Sequence, residues 1–199
     1  MAKRKIAVFD FDGTVTTKDT FLKFIKFTKG NLSFYWGFLL YSPVILAYKL
    51  GLYPNWKAKQ LVFTHFFKGM EYSEFTRRGE WFADEVEIII RPLAKKEISL
   101  HLGQGTKVYI ITASIYEWVF PWCIKNGIET VLATHIEVDS AGKLTGKFLS
   151  VNCYGWEKVV RLLEKEPDRK SYTLLAYGDS RGDKELIEYA DKGWYKKFK

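Results

Sequence analysis

An α/β fold, with a mostly parallel sheet and one long helical insertion, is what this 199-residue sequence predicts. Three observations carry the prediction. Short apolar runs stop abruptly at polar residues, and helical patterns alternate with those runs. Between the first run and the second lies a long block, Thr20 to Met70, that contains no Asp or Glu. Strands alternating with helices imply parallel strands covered on both faces.

In order, Lys5–Phe9 (KIAVF) reads as a buried strand ending at Asp10, and Val15–Asp19 leads into a largely helical block that runs to about Phe82. Pro92 to Leu102 begins with proline in the first turn and stops at Gly103, the usual asymmetry of helix ends. Lys107–Ile111 (KVYII) is a second strand, ending at Thr112, and Ile115–Asn126 is a helix stopped by Gly127. Val138–Phe148 alternates and turns at Ala141–Gly142, as a hairpin does. Trp156–Lys165 is a helix ended before Pro167, and Thr173–Tyr177 (TLLAY) is a third buried strand, ending at Gly178–Asp179. The expected division is a core of residues 1–14 and 83–199, interrupted by a helical cap of residues 15–82.

With 47% hydrophobic residues, the chain can bury one core with an insertion or two small domains. Cys123 and Cys153 lack metal-ligand spacing, so free thiols in a reducing interior are expected. The N-terminus enters a strand directly, without the apolar core of a signal peptide. Charge is more informative by location. The acid-free block carries Lys23, Lys26, Lys29, Lys49, Lys57, Lys59 and Lys68 and no arginine, against a net charge of +8 for the whole chain. Nucleic-acid surfaces use arginine forks for bases and phosphates, so nucleic acid is not the expected partner. Lysine and aromatics beside an uncharged stretch suit an anionic lipid surface.

The chemistry concentrates at strand ends. "FDFDGTV" (Phe9–Val15) places two carboxylates two residues apart where an apolar strand stops, facing the crevice in which open α/β sheets bind ligands. Asp-Gly alone is ordinary turn chemistry. Here further pieces follow in order: "IITAS" (Ile110–Ser114), Lys158 in "CYGWEKVV", and "YGDSRGD" with Asp179 and Asp183. His65, His101 and His135 are scattered and unpaired, and Ser114 lacks the glycine context of a nucleophile elbow.

This set resembles the haloacid dehalogenase superfamily of phosphohydrolases, and the likeness covers essentially the whole chain. The helical insertion resembles the subfamily that includes phosphoserine phosphatases. The resemblance implies a Rossmann-like core with Asp10 as nucleophile and Asp12 as general acid and base. It further implies Thr112 and Lys158 on the transferring phosphoryl group, Mg²⁺ held by Asp10, Asp12 and Asp179, and Asp183 in support. The roles are chemically coherent. An anionic nucleophile and a phosphate dianion repel one another, and a hard cation with oxygen ligands removes that repulsion. Asp12 would protonate the leaving oxygen and then deprotonate water.

Asp19 falls where phosphoserine phosphatases carry an acidic residue for the substrate amine. Those enzymes also fork the substrate carboxylate with a cap arginine, and none lies between Arg4 and Arg77 here. The run "LSFYWGFLLYSPVILAY" (Leu32–Tyr48) with the following "YKLGLYPNWKAK" instead resembles the caps of bacterial phosphatidylglycerophosphatases of this superfamily. The run is short for a span, and Pro43 interrupts it. Two readings therefore stand for it: a helical hairpin dipping into one leaflet, or packing inside the cap. The expected activity is a Mg²⁺-dependent phosphomonoesterase on a lipid phosphate, peripheral at the cytoplasmic side of an inner membrane. Its alternatives are a phosphatase of a soluble metabolite and an idle membrane-binding module.

Overall fold

The computed structural model describes residues 3–199; Met1 and Ala2, which open the expected core segment, lie outside the described residues. In chain order the elements are β1 (Arg4–Phe9), α1 (Thr20–Leu40), α2 (Ser42–Lys49), α3 (Asn55–Phe67), α4 (Tyr72–Ile88), α5 (Pro92–Gly103), β2 (Lys107–Ile115) and α6 (Tyr116–Lys125). There follow β3 (Thr130–Thr134), β4 (Ile136–Val138), β5 (Leu144–Phe148), α7 (Trp156–Lys165), β6 (Tyr172–Gly178), α8 (Lys184–Tyr189) and β7 (Lys192–Tyr195). The main sheet has the order β3-β2-β1-β6-β7, every pairing parallel. β1 lies between the first strand of each later half, so the chain after Asp10 enters the crevice where strand order reverses.

The pleat sends alternate residues of the strands into two cores. Ala7, Phe9, Val108, Ile110, Leu175 and Tyr177 face one side, where α5, α6 and the insertion cover them. Ile6, Val8, Tyr109, Ile111, Leu174 and Ala176 face the other, against α7 and α8. Burial on both faces explains why these strands read as unbroken apolar runs.

The insertion leaves and rejoins the core at one place. The Thr17 N–H donates to Ile89 O at 2.8 Å, and Thr16 pairs with Ile90 as an isolated bridge. Helix α4 continues through Phe82 to Ile88. We therefore propose a cap of about residues 17–89, because a boundary at Phe82 would cut a helix. The β4–β5 hairpin, read as core, packs on α3 and joins the cap through backbone bonds Gly69 N–H to Leu144 O and Leu144 N–H to Met70 O.

The cap's lower part is fixed to the core by aromatics. Phe24 stacks on Trp118 with centroids 4.6 Å apart, and it meets Phe67, Phe75 and Phe82 edge-on or tilted. Each such side chain contributes about 1.5–3 kcal/mol by leaving water. The upper part is different. Gly30, with φ of 78° and ψ of 170°, breaks α1 into two halves, a conformation that costs glycine little. The first half buries Thr20, Phe21, Phe24 and Ile25, whereas in the second only Gly37 is buried. No helix among the described residues is long and apolar enough to cross a membrane.

Candidate active site

The turn Phe11–Val15 after β1 brings the first two carboxylates together. Gly13 adopts φ of +86°, and a Cβ there would fall 2.5 Å from an Asp179 oxygen, so glycine is needed both for the turn and for that approach. Arg91 braces the turn from below, its Nε donating to Gly13 O at 3.3 Å and to Thr16 O at 3.2 Å. Nothing in its sequence context marked Arg91 out.

A cavity of about 610 Å³ opens above the carboxyl ends of the strands. Asp10, Asp12, Thr112 and Lys158 border its floor, and Asp19 is also on its wall. Phe21, Phe38, Ile45, Tyr48 and Val62 from the cap supply apolar wall above them. All the residues singled out in the sequence thus converge, since Asp179 and Asp183 join Asp10 in one acidic cluster. One carboxylate oxygen from each of those three lies within 4.8 Å of the others.

Lys158 is almost completely buried. Its Nζ donates to Asp10 Oδ1 at 2.6 Å and to Asp183 Oδ1 at 2.5 Å. Burial disfavours its charge, but the two carboxylates outweigh burial and raise its pKa, so it stays an ammonium. Asp10 experiences burial most strongly; this pushes its carboxyl up to about 8 against the pull of Lys158, with Asp183 adding to the rise. Asp183 is held low: although burial opposes its charge, Lys158 and Ser180 stabilise the carboxylate. Its Oδ2 accepts from Asp179 N–H, Ser180 N–H and Ser180 Oγ at 3.1, 2.9 and 2.8 Å. Asp183 thus touches both Lys158 and the backbone of the turn Asp179–Ser180. Asp179 Oδ1 accepts from the Thr14 hydroxyl at 3.2 Å, and its Oδ2 pairs with Lys199 Nζ at 2.6 Å. That tail is seated by Phe198, which stacks on Tyr177.

Asp12 is held differently. Its Oδ1 accepts the Thr20 N–H at 2.8 Å, from the first residue of α1, and its Oδ2 accepts the Ser114 hydroxyl. Thr20 and Ser114 share a hydrogen bond of 3.0 Å, and Trp118 Nε1 donates to the Thr20 hydroxyl at 3.1 Å. Burial and the nearby Asp19 charge push Asp12 up to about 6, in spite of these donors. Ser114, weighed in the sequence only as a nucleophile, is therefore a partner of Asp12; its place two residues beyond Thr112 on the same strand was the available signal. Thr112 is buried, and its Oγ1 accepts the Ser114 N–H at 3.1 Å. Asp19 caps α1, accepting the Leu22 N–H at 3.2 Å. Cys123 and Cys153 are buried free thiols outside this cluster.

Sequence reasoning also missed Lys59. Its helix buries Ala58, Val62, Phe63, Phe66 and Phe67, and Lys59 lies one and two turns before Phe63 and Phe66. That phase turns it inward, and Lys57 outward, a distinction that helical periodicity could have supplied.

β2 runs on to Ile115, past the end expected at Ile111, so Thr112 lies within the strand. With carboxylates just after β1 and β6 and a buried lysine on α7, it forms the site of a hydrolase of one family. The chain belongs to the haloacid dehalogenase-like hydrolases, whose family profile matches residues 7–188. It is 32% identical to Protein CicA of Caulobacter vibrioides over 98% of this chain and 86% of that one. A crystal structure of a protein of unknown function from Bordetella pertussis Tohama I superposes with a TM-score of 0.79 at 19% identity, covering 95% and 88% of the two chains. A substrate-bound phosphoserine phosphatase superposes with a TM-score of 0.64 at 16% identity, covering 98% and 86%. These two structures share the fold with this chain.

Proposed function

We propose that this protein is a Mg²⁺-dependent phosphomonoester hydrolase that forms an aspartyl-phosphate on Asp10 and acts on a lipid phosphate, such as phosphatidylglycerophosphate, at an anionic membrane surface. The observation that carries the substrate class is the cavity. Its floor is ionic and its cap wall is apolar, and the adjoining cap surface exposes Leu32, Trp36 and Leu39 at 79%, 69% and 63% beside a lysine-rich, acid-free segment. Exposed apolar patches rimmed by polar groups mark contact surfaces, and basic ones suit anionic headgroups.

The residues suit the metal. Asp10 and Asp179, with the Asp12 backbone carbonyl, are hard oxygen donors of the kind Mg²⁺ prefers, and Gly13 keeps the space beside Asp179 clear. When bound, the ion would offset the negative charge shared by the nucleophile and the phosphate. The chain supplies the rest. Asp10 attacks phosphorus, while the Lys158 ammonium and Thr112 hydroxyl hold equatorial oxygens in a preorganised field. Asp12, placed near neutrality by its burial, donates its proton to the leaving alcohol and later accepts one from water attacking the acyl-phosphate.

A second reading, a soluble phosphorylated metabolite, draws on the fold shared with phosphoserine phosphatase and on Asp19 at the cavity wall. One experiment decides between them. Phosphate release with Mg²⁺ is measured on short-chain phosphatidylglycerophosphate, phosphoserine and sugar phosphates. The lipid should lead in kcat/KM; a lead by phosphoserine or a sugar phosphate would transfer the function to soluble metabolites.

A further inference from the structure

Lys59 stands in the same cavity as the reacting groups, yet it has no counter-ion. Its Nζ donates to Ala113 O at 2.8 Å and lies 5.2 Å from the Phe21 ring centroid. Ala113 adjoins Thr112, so the ammonium is one residue from the expected phosphoryl site. An ammonium has three donors, and the carbonyl uses one. Burial lowers its pKa, while Asp19, Asp12 and Asp10 favour its charge from beyond ion-pair range. Among the described residues it makes no ion pair. A partly desolvated cation facing a cavity is costly unless an anion arrives to meet it. Lys49, at the upper wall, is a second cap lysine on this cavity, and no arginine lines it. An ammonium meets an anionic oxygen as a point charge with rotatable donors, a geometry that a phosphodiester oxygen accepts.

We infer that Lys59 is a specificity-determining residue that binds a second anion of the substrate, a phosphodiester lying between the phosphate that is hydrolysed and the apolar part. This rests on the lipid-phosphate reading of the same cavity. It assigns the order of groups along the pocket: monoester at Asp10 and Lys158, diester at Lys59, hydrocarbon along Phe38, Ile45 and Tyr48.

The test uses two water-soluble probes, a glycerol phosphodiester carrying a terminal phosphomonoester and glycerol 3-phosphate, which lacks the diester. The readout is the ratio of their kcat/KM values. Wild type should prefer the two-anion compound, and Lys59→Gln should reduce that preference about 10- to 100-fold, chiefly through KM, as expected for losing a charged hydrogen bond. Lys59→Arg, which keeps the charge, should retain most of it. A wild type without preference, or a Lys59→Gln ratio equal to wild type, overturns the assignment; a merely structural lysine would lower both rates together. Titration calorimetry of the two-anion compound into the Asp10→Asn variant separates this inference from the activity. Binding that weakens 10- to 100-fold on adding Lys59→Gln supports Lys59 even if nothing is hydrolysed, and undiminished or absent binding refutes it.

Discussion

The floor of the cavity and the tip of the cap reverse the usual placement of side chains. At the floor, Asp10, Asp183 and Lys158 are ionisable groups held out of water, each with a named partner. At the tip, Leu32, Tyr35, Trp36, Leu39 and Leu40 are apolar groups held in water, with few neighbours of their own chain. The single helix α1 contains both conditions, since its first half fastens Asp12 and the aromatic core while its second half is exposed beyond Gly30. A buried charge is tolerated where geometry fixes its partner, and the fixed geometry is what electrostatic catalysis needs. An exposed apolar surface is tolerated where a partner covers it. The charges of the floor find partners within the chain, whereas the apolar side chains of the tip stay exposed.

Substitutions at the floor should therefore act on rate with little effect on binding to a surface, and substitutions at the tip should do the opposite. The largest expected effect is that of Asp10→Asn. The amide is nearly isosteric but cannot attack phosphorus, and it weakens the pairing with Lys158. Turnover should fall to background, with vesicle binding intact. Wild-type phosphate release by this variant would remove Asp10 from the mechanism.

Asp12→Asn comes next. Its side chain is held by Thr20 and Ser114, and the change removes a proton donor but no backbone ligand. The rate should fall about 10²–10⁴-fold for an alkyl phosphate. Nitrophenyl phosphate, whose leaving group needs little protonation, should lose less in the first step. Equal losses of phosphorylation rate for the two esters would show that Asp12 is not the acid.

At the tip, Trp36→Ser with Leu39→Ser should abolish much of the binding to anionic vesicles at any salt concentration, since each exposed side chain contributes about 1.5–3 kcal/mol on burial in lipid. Replacing Lys23, Lys26 and Lys29 by Gln should weaken binding mainly at low salt, with about 1 kcal/mol from each lysine. Melting temperature should barely move for the serine pair, because neither residue is buried. Wild-type protein that remains in the supernatant with anionic liposomes would sink the membrane reading, and a large loss of melting temperature would assign the tip to packing. Phe38 is not a useful probe of this surface, although it lies in the same apolar run. It packs on Phe34 at 4.5 Å and on Phe66 at 6.2 Å.

These contrasts also explain what the sequence could reveal. Strand ends are legible because the change from apolar run to carboxylate is local, as at Phe9–Asp10 and Tyr177–Asp179. The helix Trp156–Lys165 was legible to the residue because Gly155 and Pro167 bracket it. Pairings that depend on three dimensions were not. Ser114 meets Asp12 across 102 residues, and Lys59 reaches Ala113 across 54. The hairpin Val138–Phe148 was legible as a hairpin, yet its attachment to α3 was not, because Thr64 donating to Gly146 O at 2.7 Å leaves no local mark. Nor could the run Leu32–Tyr48 be divided from sequence alone, since buried Gly37 and exposed Trp36 stand side by side in an uncharged stretch.

The smallest expected effect lies between floor and tip, where α4 of the cap packs on α6 of the core. Glu117 is buried there, and its Oε2 has no hydrogen-bond partner. Burial pushes its carboxyl up from 4.5 to about 7, with its own backbone and the nearby Tyr72 hydroxyl pulling the other way. A carboxyl with a raised folded-state pKa binds its proton more tightly in the folded state than in the unfolded one. Its contribution to stability is therefore fully present below about pH 4.5 and is lost as pH rises through about 7. Asp10, near 8, and Asp12, near 6, act in the same sense, while burial holds His101 and His135 below 6.5 and so acts in the opposite sense. The Glu117 share of this profile is a decline from pH 5 to pH 8. Glu117→Gln keeps the shape and cannot ionise, so it should flatten part of that decline, gaining on wild type at pH 8 relative to pH 5. Each kcal/mol is worth about 2–4 °C in a domain of this size. Melting curves of the two proteins at pH 5 and pH 8 measure the difference. If it is the same at both pH values, the Glu117 carboxyl does not titrate in this window and the cap–core contact is indifferent to its charge.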